Sequence, residues 1–176
     1  MMPPEKIRTE RLLLRKIIEE DAGSIFAPLI RDEDVTKYLP WKPLMPIEDI
    51  REFVLQRVED WQDEIEYNWI ICLSTGRPIG CINLEVFKYR AMTGFMLEKT
   101  AWNQGYATEA LQAVLKWARV QPEIYRVWAY CDIDNRASAR VLEKAGMERE
   151  GILHRWRIHP NVSSIPRDCY SYACYK

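Results

Sequence analysis

The chain contains only two histidines, His154 and His159, too few for a histidine-rich metal site, and no metal is expected. Its first residues, Met-Met-Pro-Pro-Glu-Lys, lack the apolar core of a signal peptide. No uninterrupted apolar run approaches the length of a membrane span, so no membrane partner is expected. Charge of one sign is missing as well: 25 Lys and Arg against 26 Asp and Glu leave a formal charge of −1. That balance gives no bulk attraction to nucleic acid or to an anionic lipid surface. Two phosphate-binding signatures are also missing. No glycine-rich loop ends in Gly-Lys-Ser/Thr, and only one glycine of a G-x-G-x-x-G pattern is present. The five cysteines (Cys72, Cys81, Cys131, Cys169 and Cys174) are odd in number. Each lies in an apolar, strand-like run rather than in metal-ligand spacing, so reduced, buried thiols and a cytoplasmic location are expected.

What remains is the composition of a soluble globular protein, 48% hydrophobic and 29% charged over 176 residues. One domain spanning 1–176 is expected. Arg11 to Arg15 reads as a first strand. Glu19-Glu20-Asp21 places negative charge at the start of a short helix through Phe26, which Pro28 should end or kink. A short turn or helix over 32–39 follows, and Pro40, Pro43 and Pro46 mark a loop. Ile47, Ile50, Val54, Val58 and Trp61 step by three and four, the pattern of an amphipathic helix over 47–63. Its outer face should carry Glu48, Asp49, Glu52, Glu59, Asp60 and Asp63. Strands are expected over 67–73, 78–87, 90–98, 125–131, 149–158 and 168–175, with a helix from Asn135 to Ala145 stopped by Gly146. This order predicts a mixed α/β sheet with helices on both faces.

The most informative stretch is Trp102-Asn103-Gln104-Gly105-Tyr106-Ala107-Thr108-Glu109-Ala110. It follows the strand-like run Ala91 to Leu97 and opens a helix whose apolar stripe is Ala107, Ala110, Leu111, Val114, Leu115 and Ala118. The first amides of a helix point outward with the positive end of its dipole, and a glycine in the preceding turn permits close approach. Together they make a candidate phosphate site. A β-α-β unit from Ala91 to Cys131 places two parallel strands around that helix. Ligands of such sheets sit beyond the carboxyl ends of the strands, which gathers Leu97, residues 104–108 and residues 132–135 at one end.

Asp132 to Met147, with Asn135-x-x-Ser138 before an apolar helix ending in Lys144-Ala145-Gly146-Met147, resembles the closing motif of the GNAT superfamily of N-acetyltransferases. The Trp102–Ala110 stretch and Thr9-Glu10-Arg11-Leu12-Leu13-Leu14-Arg15 make the resemblance closest to the RimJ/RimL-type branch. So do Gly151 and Arg167-Asp168. The resemblance runs from about residue 9 to 175. It implies a mostly antiparallel sheet of about seven strands with a splayed parallel pair, binding acetyl-CoA. The backbone of Gln104, Gly105, Tyr106, Ala107 and Thr108 would hold the pyrophosphate. Groups around Met96 and Leu97 would face the pantetheine and the acetyl oxygen, where a hydrogen-bond donor would stabilise developing negative charge. Asn135 would cap its helix and touch the cofactor.

For chemistry, the resemblance implies that Ser138 protonates the departing thiolate, since Leu142 stands where other branches have a tyrosine. The branch often has a glutamate where this chain has Met92, two residues before Gly94-Phe95. A water chain, Glu85 on the neighbouring strand, or Asp132 could take the amine's proton instead. Glu109 reads as serving the helix dipole. Cys81 and Cys131 read as inert, Trp102 and Tyr106 as packing residues, and His154 and Trp156 as possible lining of the acceptor pocket. The expected activity is direct acetyl transfer to a primary amine, a protein N-terminus or a small molecule, by a monomer or homodimer. The missing glutamate keeps open a non-catalytic CoA-binding sensor or scaffold.

Overall fold

The computed structural model describes residues 2–42 and 46–176. Strands β1 (Lys6–Arg8) and β2 (Leu12–Lys16) come first, followed by helices α1 (Ala27–Arg31), α2 (Glu33–Thr36) and α3 (Ile47–Gln62). A meander of β3 (Glu66–Leu73), β4 (Pro78–Phe87) and β5 (Arg90–Leu97) leads into α4 (Tyr106–Arg119). The chain ends with β6 (Arg126–Asp132), α5 (Arg136–Lys144), β7 (Glu148–Arg157) and β8 (Arg167–Tyr175). The eight strands form one sheet in the order β1-β2-β3-β4-β5-β6-β8-β7.

Alternation of side chains sorts the core onto the two faces of this sheet. On one face Leu12, Leu14, Trp69, Ile82, Leu84, Val127 and Ala129 meet the apolar stripe of α4. Burial of each Leu or Val of that stripe contributes roughly 1.5–3 kcal/mol. On the other face Ile17, Ile70 and Cys72 meet Phe26, Ile30, Ile50 and Val54 from α1, α3 and the helical turn before α1. The expected helices on both faces are present, as is the parallel strand pair.

The ladder between that pair is short. β5 is registered with β4 along its whole length, from Phe87↔Arg90 to Gly80↔Leu97. With parallel β6 it is registered only over Arg90↔Arg126, Ala91↔Val127 and Met92↔Trp128. Beyond Trp128, β6 continues against β8. Thr93 to Leu97 therefore has a strand on one side and a cleft on the other.

Several details depart from the sequence reading. The strand count is eight rather than about seven, because Lys6–Arg8 pairs with β2. Pro28 stands where the helix changes type: the π-helical segment Ala22–Phe26 gives way to α1, with Pro28 in its first turn. The Asp21 carboxylate makes no side-chain cap there. It instead takes two hydrogen bonds from Arg15, at 2.8 and 2.6 Å, and one from the Ile18 N–H. Asp60 is not on the outer face of α3 but buried, bonded to Gln56 at 3.0 Å and paired with Arg57 at 3.2 Å. Pro43 lies outside the described residues.

Candidate active site at the splayed strands

Where β5 ends, Trp102 turns its indole back and donates to the Leu97 carbonyl at 2.9 Å. The loop then reverses through two left-handed residues, Asn103 (φ 58°) and Gly105 (φ 81°). At Gly105 a side chain would be strained, and an added Cβ would stand 3.2 Å from an Arg11 nitrogen. Gly105 caps α4 without any side-chain hydrogen bond. The first amide to bond back is that of Glu109, to the Gly105 carbonyl at 3.0 Å. The preceding amides of Tyr106, Ala107 and Thr108 are thus the outward-pointing first turn of a 14-residue helix. A phosphate group fits this main-chain cradle.

A feature with no local sequence signal holds the cradle in place. Glu109, in the first turn of α4, accepts hydrogen bonds from Thr9 Oγ1 (2.6 Å), the Arg11 N–H (2.9 Å) and Arg11 Nε (2.7 Å). Burial works to raise the Glu109 carboxyl, but these bonds outweigh it and hold the group below its ordinary range. Arg11 also donates to the Gln104 carbonyl at 2.9 Å, and its guanidinium lies 4.8 Å from the centre of the Tyr106 ring. Glu109 does more than serve the helix dipole: it ties the start of β2 to the loop. The partners are about a hundred residues apart, and only the fold brings them together.

Met96 and Leu97 lie on the part of β5 that is not registered with β6. Across β4, Gly80 makes room for them, since a Cβ there would stand 2.1 Å from the Met96 carbonyl oxygen. Further along the β4–β5 pair, Asn83 of β4 donates from Nδ2 to Glu66 Oε1 at 2.6 Å and accepts the Gly94 N–H on Oδ1 at 2.8 Å. Its backbone carbonyl accepts Thr93 Oγ1 at 2.8 Å. Glu66 is buried and paired with Arg57. Arg57, Glu66 and Asn83 form a relay to the main chain at the point where β5 leaves β6. The sequence reading missed it. The available signal was Glu66 and Asn83 standing at alternating positions of apolar strands.

Glu85 is registered opposite Glu66 on one side and Met92 on the other. A carboxylate thus stands one strand away from Met92 on the same face. Partial burial, reinforced by the charge of Glu66, raises the Glu85 carboxyl above its ordinary value. Asp132 lies in different surroundings. It is buried at the end of β6 and bonded by Arg167 at 2.6 and 3.0 Å and by the Asp134 N–H at 2.9 Å. Burial would raise its carboxyl, but Arg167 outweighs that and lowers it.

Asn135 caps α5, its Oδ1 accepting the Ser138 N–H at 3.2 Å. Ser138 is half-buried in the first turn. Cys81 and Cys131 are pushed up to about 12 by burial and carry no thiolate near neutrality. His154 is exposed and bonded to Asp168 at 2.9 Å. Trp156 packs edge-on against Tyr130, 6.2 Å between ring centres. Among the described residues, no cluster of His, Cys, Asp and Glu is built to hold a metal ion, and no helix is long and apolar enough to cross a membrane.

Comparisons with known proteins agree with this architecture. Residues 11–148 match the model of the acetyltransferase (GNAT) domain family. The uncharacterized N-acetyltransferase YoaA of Bacillus subtilis is 29% identical over 169 residues, covering 94% of each chain. The crystal structure of a GNAT-family acetyltransferase from Bacillus anthracis superposes with a TM-score of 0.84 at 31% identity, covering 97% of this chain and 98% of that one. The ribosomal L7/L12 α-N-protein acetyltransferase RimL, solved with coenzyme A, shares the fold with a TM-score of 0.86 at 21% identity, over 97% and 98% of the two chains. The chain belongs to the GNAT acetyltransferase family. It is an acyltransferase.

Proposed function

We propose that residues 1–176 form one domain that transfers the acetyl group of acetyl-CoA to a primary amine by direct attack in a ternary complex. The observation that carries this reading is the coincidence of three features along the cleft between β5 and β6. They are the opened edge of β5, the uncapped N-terminus of α4, and a half-buried carboxyl, Glu85, beside Met92. Acetyl-CoA supplies a thioester carbonyl as electrophile and a thiolate as leaving group. The amides of the 104–108 loop and first turn hold the pyrophosphate, with Asn135 a further contact. Main-chain donors near Met96 and Leu97 stabilise charge on the carbonyl oxygen.

Glu85 takes the proton of the incoming ammonium, directly or through one water. The new N–C bond forms as the C–S bond breaks; Ser138 supplies a proton to the departing sulfur and is reprotonated through water by the second proton, which the nitrogen loses as the amide forms. A raised carboxyl suits this task, because it narrows the gap between base and ammonium. The RimJ/RimL-type branch is supported by the motifs at 9–15 and 102–110 and by the likeness of fold to RimL. Calorimetric titration with acetyl-CoA, CoA and ATP tests the reading: binding of both CoA species without ATP is expected. Absence of binding by both would remove it.

A further inference from the structure

Main-chain groups along an antiparallel strand point alternately toward and away from the partner strand. On β5 the Glu98 N–H reaches the Ile79 carbonyl at 2.9 Å, and the Gly94 N–H reaches Asn83. Gly94, Met96 and Glu98 therefore turn their amides toward β4. Phe95 and Leu97 turn theirs the other way, into the gap where β6 has parted from the ladder. The Leu97 carbonyl on that side is taken by the Trp102 indole at 2.9 Å. The Phe95 N–H belongs to the planar peptide unit that begins at Gly94, so whatever fixes Gly94 sets its direction.

Asn83 fixes Gly94. Its Oδ1 accepts the Gly94 N–H at 2.8 Å, and its main-chain carbonyl accepts Thr93 Oγ1 at 2.8 Å. Two consecutive residues of β5 are thus tied to one residue of β4. Buried Glu66 receives Asn83 Nδ2 at 2.6 Å and is itself paired with Arg57. An amide set between a carboxylate and an N–H satisfies both in one orientation only. The glycine is the other half of this clasp. A Cβ on Gly94 would stand 3.1 Å from Asn83 Oδ1, and no other non-adjacent atom among the described residues lies within 4 Å of it. Gly94 has no left-handed backbone to call for glycine, so Asn83 alone accounts for the missing side chain.

Resting on the acetyltransferase reading above, we propose that Asn83 is a positioning residue: by clasping Gly94 it aims the Phe95 N–H at the acetyl carbonyl oxygen of bound acetyl-CoA. A donor fixed before the reaction stabilises the charge that develops on that oxygen. A displacement of about 1 Å would slow transfer by about 10²-fold while the first turn of α4 still held the pyrophosphate.

The test labels the four phenylalanines with nitrogen-15 and follows their amide signals by NMR with CoA and then acetyl-CoA bound. Phe95→Leu assigns the Phe95 signal. In the unaltered protein that signal is expected to move downfield when acetyl-CoA replaces CoA. In Asn83→Ala the movement should be lost, with affinity for CoA unchanged, which a merely structural role would not give. Gly94→Ala keeps the bond from Asn83 to Glu66 but crowds Oδ1, and should lose the movement too. With Asn83→Ala already in place the added Cβ meets nothing, so the urea midpoint of the double variant should not fall below that of Asn83→Ala. A Phe95 signal that stays still in the unaltered protein, movement retained in Asn83→Ala, or a lower midpoint in the double variant would overturn the role of Asn83. Each of these leaves the acetyltransferase reading in place as long as CoA and acetyl-CoA bind. Binding of neither overturns both.

Discussion

The two sides of the cleft are built from different materials. Toward α4 the site is main chain: outward amides, a left-handed glycine and a strand edge released from its neighbour. On the face opposite α4 it is side chain: Glu66, Glu85, Trp128 and Tyr130 on an alternating sheet surface. A main-chain site tolerates many residue types but not an intruding Cβ. A side-chain site tolerates backbone-neutral changes but not a change of charge. Substitutions should therefore separate binding of acetyl-CoA from turnover of the amine.

The largest effect is expected on the side-chain wall. Glu85→Gln should lower kcat/KM by about 10²–10⁴-fold with acetyl-CoA affinity unchanged. Retained activity would place the base elsewhere. The pH profile sharpens the same point. Glu85 must be unprotonated to act, and burial with the neighbouring Glu66 raises its pKa. Activity should thus rise with pH through a limb above the ordinary glutamate value. Glu66→Gln removes one of the raising causes and should move that limb to lower pH, an effect a purely structural role for Glu66 would not give.

Ser138→Ala should reduce turnover by about 10²-fold and affinity for acetyl-CoA hardly at all. Unchanged turnover would remove Ser138 from the mechanism. On the main-chain wall, Gly80→Ala drives a Cβ toward the Met96 carbonyl oxygen. A loss of about 1–3 kcal/mol in urea unfolding is expected, together with weaker acetyl-CoA binding. Gly105→Ala meets a φ of 81°. Strain of about 1–2 kcal/mol should weaken acetyl-CoA binding roughly tenfold while turnover at saturation stays within a few fold. If Gly105→Ala instead abolished turnover at saturation, the division between the two walls would fail. The smallest effect is expected from Glu59→Gln with Asp63→Asn, both on the exposed side of α3. The acceptor's Michaelis constant should not move, and stability should stay within about 0.5 kcal/mol.

The main-chain wall was largely legible in the sequence. The apolar stripe from Ala107 to Ala118 announces α4, and Gly105 just before it announces a turn that only glycine adopts without strain. The side-chain wall was legible only in part. Glu85 stood out as a carboxylate near Met92, but its neighbours come from α3, β3 and β6, whose register is not written locally. Asp60 misled, since an acidic residue on a charged helix face reads as solvated until Arg57 and Gln56 are seen to enclose it. The partner of Asp132 was not legible either, because Arg167 approaches from a strand 35 residues later.

By itself the sequence determined most of the elements, their order and the glycine turn that opens α4. These follow from local periodicity, from residues with restricted backbone freedom and from composition. Only the tertiary structure decided which carboxylates meet, how Thr9 and Arg11 reach Glu109, and where β5 parts from β6. Those outcomes depend on strand register and helix docking, which are set by packing of the whole core and bring residues tens to a hundred positions apart within hydrogen-bonding distance.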